Sequence, residues 1–185
     1  MDNDKRDGIL RGPSRGGEGK TMPEFERLER IITGRLEENA SKPAVWWKGS
    51  WMNGAEFLGL IANTEKILEE SGFGPGSRIA IFMANSPLLW AIAVAAWRLG
   101  GAIAPLNARS GINASLKIVE HIDPVGAVLG DGMDSLAKTL EGAGIPAVIA
   151  PPVGPLPGFK GRKDTREDES TAVIFATSGD RKSVV

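Results

Sequence analysis

Residues 72–107 read GFGPGSRIAIFMANSPLLWAIAVAAWRLGGAIAPLN, and the fold turns on how this stretch divides. GFGPG stops a helix and turns the chain. RIAIFM, residues 78–83, is apolar throughout and partly β-branched, which predicts a strand covered on both faces. Asn85, Ser86 and Pro87 then form a strand-to-helix corner. Ser86 can accept from the free amides of the first turn, and Pro87 gives up no hydrogen bond at the first helical position. The helix that follows, LLWAIAVAAWRL, is apolar on nearly every side. It is too short to cross a bilayer and has to lie between layers. Gly100 and Gly101 end it, and AIAPLN opens a second strand.

The alternation extends in both directions. Upstream, Thr21, Pro23 and Glu24 predict a capping-box start for a helix whose inner stripe is Phe25, Leu28, Ile32 and Leu36. KPAVWWKGSWM predicts a hairpin turning at Lys48, Gly49 and Ser50, and Asn53 caps a helix with Phe57, Ile61, Thr64 and Leu68 facing inward. Downstream, Asn113 is expected to cap a helix through His121 and Asp134 another ending at Gly142 or Gly144. VGAVLG and PAVIA supply further strands. Strands alternating with helices imply right-handed crossovers and an α/β fold: a doubly wound, largely parallel sheet with helices on both faces.

Four prolines between Pro151 and Pro157, followed by the charged GFKGRKDTREDES, predict a linker. The expected organisation is a disordered leader over 1–20, an α/β subdomain over 21–150 and a linker over 151–170. Residues 171–185 would begin a following subdomain. Its strand, TAVIFA, has no partner helix in the sequence and, if left unpaired, predicts self-association through an exposed edge.

Composition removes several functions. The 185 residues carry a formal net charge of −1 with both signs interspersed, so no basic footprint for nucleic acid exists. There is no cysteine and one histidine, His121, which excludes disulfides, thiolate nucleophiles and multi-histidine metal sites. The start is charged and lacks a signal-length apolar run, and a soluble, cytoplasmic protein is expected. The five tryptophans have no interleaved basic residues and read as core or interface packing.

Three stretches invite a ligand-binding reading. GFGPG precedes its strand, so it lacks the helix start that holds a dinucleotide's pyrophosphate and reads as a helix stop. ATSGDRKSVV, residues 176–185, follows a strand with hydroxyls, a glycine and Lys182, the ingredients of a phosphate grip. It does not meet G-x-x-x-x-G-K-[ST], since Arg181 stands where the glycine belongs. The residues alone allow either a phosphate loop or a plain surface turn. Asn107 and Arg109, after the AIAPLN strand, could face a ligand, or Asn107 could support a turn and Arg109 a surface ion pair.

Taken in order, several pieces resemble the adenylate-forming (AMP-binding) superfamily of acyl-CoA synthetases, luciferases and adenylation domains. Residues 72–132 are similar to that family's segment from its G-x-x-x-G-D-R-V-A turn through N-S-P-E to P-L-N-P. SWMNGAEFLG resembles its T-Y-x-E-L helix start. Thr177, Ser178 and Gly179 match the opening of its T-S-G-T-T-G-x-P-K-G loop. Aligning Lys182 with the loop's lysine requires that T-T-G be absent here, with Arg181 for the proline and Ser183 for the second glycine.

The resemblance implies an ATP-dependent, AMP-forming acid–thiol ligase. A carboxylic acid attacks the α-phosphate of Mg-ATP, and a thiol such as coenzyme A or a carrier protein takes the acyl group. It implies nucleotide contacts at Thr177, Ser178, Gly179 and Lys182. The acidic metal ligand and the catalytic lysine would lie beyond residue 185, so no catalytic or metal-binding residue is expected here and this stretch alone is expected to be inert. A non-catalytic docking module and a degenerate remnant of such a ligase are the alternatives.

Overall fold

The computed structural model describes residues 27–164 and 171–175. Eleven elements follow in order: α1 (Leu28–Glu38), β1 (Pro43–Trp47), β2 (Ser50–Asn53), α2 (Gly54–Glu70), β3 (Arg78–Phe82), α3 (Pro87–Arg98), β4 (Ala102–Pro105), α4 (Ile112–Ile122), β5 (Gly126–Leu129), α5 (Asp134–Gly142) and β6 (Ala147–Ile149). β1 and β2 form an antiparallel hairpin, and the main sheet is parallel in the order β4-β3-β5-β6. The doubly wound α/β expectation is met.

Period-two alternation sorts the strands onto two cores. Ile79, Ile81, Ile103 and Val128 face one side, where α2 and α3 cover them. Ala80, Phe82, Ala104, Ala127 and Leu129 face the other, against α4 and α5. The crossover through α3 steps to one side of β3, and those through α4 and α5 step to the other. The central strand β3 is therefore buried along Ile79–Phe82, as its unbroken apolar run requires.

Local chemistry explains the element ends. Asn53 accepts from the Glu56 amide while the Glu56 carboxylate accepts from the Asn53 amide, a closed capping box on α2. Ser86 accepts from the Leu89 amide at 3.2 Å, with Pro87 first in α3. Nine of the twelve residues of α3 are buried. The inward stripe Phe57, Ile61, Thr64 and Leu68 of α2 is buried as expected.

Several expectations are corrected. The hairpin turn is the two-residue Lys48-Gly49, both at positive φ (43° and 90°), and Ser50 already belongs to β2. α4 starts at Ile112 behind Gly111, and α5 at Asp134 behind Met133, so neither Asn113 nor Asp134 is the cap. Leu28 is 56% exposed, while Glu29 and Thr33 are buried and Ile32 and Leu36 pack on the core. The inner face of α1 thus runs through 29, 32, 33 and 36. Thr21, Glu24 and Phe25 lie outside the described residues. Trp46, Trp51 and Trp90 are about half exposed and do not build the core.

Of the stretch expected as a linker, 151–170, the structure describes 151–164, and several of these residues are fastened to the body. Leu156 is 2% exposed, and a Cβ built on Gly126 would lie 2.6 Å from the Phe159 ring. Residues 151–162 therefore lie as a strap over β5 on the face that α2 and α3 leave open. The Gly161 amide donates to Ser71 O at 3.0 Å and the Arg162 amide to Val125 O at 2.7 Å. Its guanidinium reaches Pro124 O and the Asp123 carboxylate.

Candidate functional site

In a parallel sheet all carboxyl ends share one edge, and loops leaving that edge collect ligand groups where the strand order reverses. Here the chain runs from β3 to β4 on one side, then to β5 on the other, so the reversal falls between β3 and β5. A cavity of about 420 Å³ opens there. Every connection at that edge contributes: Met83 and Ala84 after β3, Ala108 after β4, Asp131 and Met133 after β5, Pro152 after β6. The hairpin adds Trp47 and Lys48. Phe82, 1% exposed, forms part of the floor, and Gly130 leaves it without a side chain.

The same edge receives the segment thought to lead into a phosphate loop. Residues 171–175 lie beside β4, with a parallel bridge between Val173 and Ile103. The Ile103 amide donates to Ala172 O at 3.1 Å and the Ile174 amide to Ile103 O at 2.8 Å. Ala172 O accepts a second hydrogen bond, 2.9 Å, from the indole N–H of Trp97 on α3. The TAVIFA strand, without a helix in the sequence, thus has a strand partner. Because it runs parallel, Phe175 stands at the carboxyl edge, about 12 Å from the cavity by two and a half strand spacings.

Thr177, Ser178, Gly179 and Lys182 lie outside the described residues. Asn107 supports a turn, its Oδ1 accepting from the Arg109 amide at 2.9 Å, while Arg109 forms no ion pair among the described residues. GFGPG sits at the amino end of β3, with Gly72 and Gly76 at positive φ, away from the cavity. His121 is exposed in the last turn of α4. Among the described residues no group of three or more His, Asp or Glu side chains could hold a metal ion. Among them, too, no helix is long and apolar enough to cross a membrane.

The cavity was invisible as a site in the sequence because its walls come from five separate connections, most of them apolar. Trp97 was equally hidden: an indole on an apolar helix reads as packing until the distant chain it bonds is known.

A parallel sheet with helices on both faces and a crevice at its strand reversal defines an open, doubly wound α/β fold. The chain belongs to the AMP-binding enzyme family, which it matches over residues 33–179, a stretch that includes Thr177, Ser178 and Gly179 but not Lys182. Among solved structures it is similar to a benzoate CoA ligase from Burkholderia xenovorans LB400, at 18% identity and a TM-score of 0.63 over 69% of this chain and 26% of that one. The N-terminal domain of FACL13 from Mycobacterium tuberculosis matches at 18% identity and a TM-score of 0.57, over 64% of this chain and 33% of that one. ATP-bound MatB from Rhodopseudomonas palustris matches at 18% identity and 0.55, over 65% of this chain and 25% of that one. The chain therefore spans about a quarter to a third of the length of these structures. No curated protein matches it.

Proposed function

We propose that this chain is the first subdomain of an ATP-dependent, AMP-forming acid–thiol ligase and that the residues after Phe175 grip the nucleotide's polyphosphate. The observation that carries the reading is the family match, which runs into Thr177-Ser178-Gly179. The parallel docking of 171–175 on β4 supports it, because Phe175 then stands at the ligand-collecting edge of the sheet.

In this reading the hydroxyls of Thr177 and Ser178, the amide of Gly179 and the ammonium of Lys182 hold phosphate oxygens. They offset charge on the departing pyrophosphate when a carboxylate attacks the α-phosphate. Adenylation turns a poor leaving group into a good one, and a thiol acceptor, coenzyme A or a carrier protein, then takes the acyl group. The absence of cysteine suits work in the reducing cytoplasm. The domain boundary falls near residue 170, with the strap belonging to the first unit.

Pyrophosphate release tests this on a version extended in frame past Val185 with Thr-Thr-Gly restored after Gly179. Release with at least one member of a broad panel of fatty and other organic acids is expected. Silence across the panel defeats the reading.

The half-exposed Trp46–Trp51 pair, ring centres 5.3 Å apart, favours one second reading, a non-catalytic docking module. Calorimetry separates the two, since micromolar ATP binding by residues 1–185 argues against docking alone.

A further inference from the structure

The adenylation reading leaves the crevice between β3 and β5 without an occupant. Its walls are Trp47, Phe82, Met83, Met133 and Pro152, and among the described residues Lys48 and Asp131 alone bring charge to it. Aromatic rings and thioethers together favour a flat, polarisable partner, since sulfur and ring faces both attract aromatic edges. At about 420 Å³ the space is near the lower end of small-molecule pockets and suits one fused ring system.

The two charges narrow the chemistry further. Lys48 and Asp131 form no ion pair with each other or with any other described residue, and the Lys48 ammonium sits 5.6 Å from the Trp47 ring centre. One positive and one negative group sum to zero, so a singly charged ligand meets repulsion along with attraction. A carboxylate such as Asp131 accepts hydrogen bonds only, so a ligand that engages it has to supply the donor.

We propose that this crevice binds a small, neutral, planar heteroaromatic molecule whose ring N–H donates to Asp131 while its ring packs against Trp47, Met83 and Met133. The site stands independently of the phosphate-loop reading, because none of its residues belongs to 171–185.

The test is an NMR titration of the intact 185-residue chain labelled on methionine methyls, with indole, 1-methylindole and indole-3-acetate as probes. Indole is expected to move the Met83 and Met133 methyls and leave Met52, on the hairpin, in place. 1-Methylindole, in which a methyl group replaces the donor hydrogen, should bind at least roughly three- to tenfold more weakly, the usual worth of one hydrogen bond. Asp131→Ala, at an exposed position, should remove that difference while the protein stays folded. Three results would each overturn the proposal: no methyl response up to the solubility limit of indole, equal affinity for the two neutral probes, or tighter binding of the anionic one.

Discussion

The two ends of the parallel sheet are built on opposite terms. At the amino ends there is no room: a Cβ on Gly101 would strike the Phe73 ring and come 2.7 Å from Ser77 O, and one on Gly161 would lie 2.5 Å from Ser71 O. Two arginines close that end. Arg78 donates to Ile122 O at the end of α4, and Arg162 donates to Pro124 O just beyond it, where a cation also suits the helix dipole. At the carboxyl ends a cavity remains, Gly132 faces open space and Asp131 stands unpaired among the described residues. Packing fixes one end, and the freedom it leaves at the other is where ligands have somewhere to go.

The sharpest way to break this contrast is Gly101→Ala. Collision with a backbone oxygen cannot be relieved by a rotamer change, so a loss of about 3 kcal/mol in urea unfolding is expected. A loss under about 0.5 kcal/mol, the usual surface value, would show that the amino end is looser than described.

Next in size is Leu156→Ala in the strap. A buried leucine gives up about 2–3 kcal/mol when truncated, whereas a leucine in a free linker costs almost nothing. The same urea titration therefore decides whether residues 151–162 are part of the core.

Arg162→Met keeps the aliphatic stem and removes the donors to Pro124 O. With the side chain about a third exposed, a loss of about 1 kcal/mol is expected. Faster amide exchange at Gly161 and Arg162 should accompany it. At the other end, Asp131→Ala should change stability by less than about 0.5 kcal/mol, because no described interaction is removed. A larger loss would mean that the open end is held together by its polar groups.

Much of the fold was legible in 72–107, because a covered strand, a Ser-Pro corner and an all-apolar helix each have one physical solution. The hairpin and the Asn53 cap of α2 were also readable, although the turn closes one residue earlier than expected, at Lys48-Gly49, and Glu56's half of the capping box was not read. What misled was chemistry without context. Asn113 and Asp134 are good caps by type, yet each lies inside its helix, behind Gly111 and Met133, which make no side-chain cap bond. Prolines and the charged run after them signalled a linker over 151–170, but a chain without regular structure, as in 151–162, can still be fixed by a few buried side chains and backbone bonds. For the site, the order of the motifs was readable and the crevice was not, since no single stretch of sequence contains it.

The central claim is that the carboxyl edge beside β4 receives a nucleotide. Titrating ATP into the isotope-labelled 185-residue chain and following backbone amide shifts tests it directly. The account predicts the largest changes at Thr177, Ser178, Gly179 and Lys182, with smaller ones at Ile174 and Phe175. Changes confined to the amino ends of the strands, or none at millimolar ATP, would contradict it.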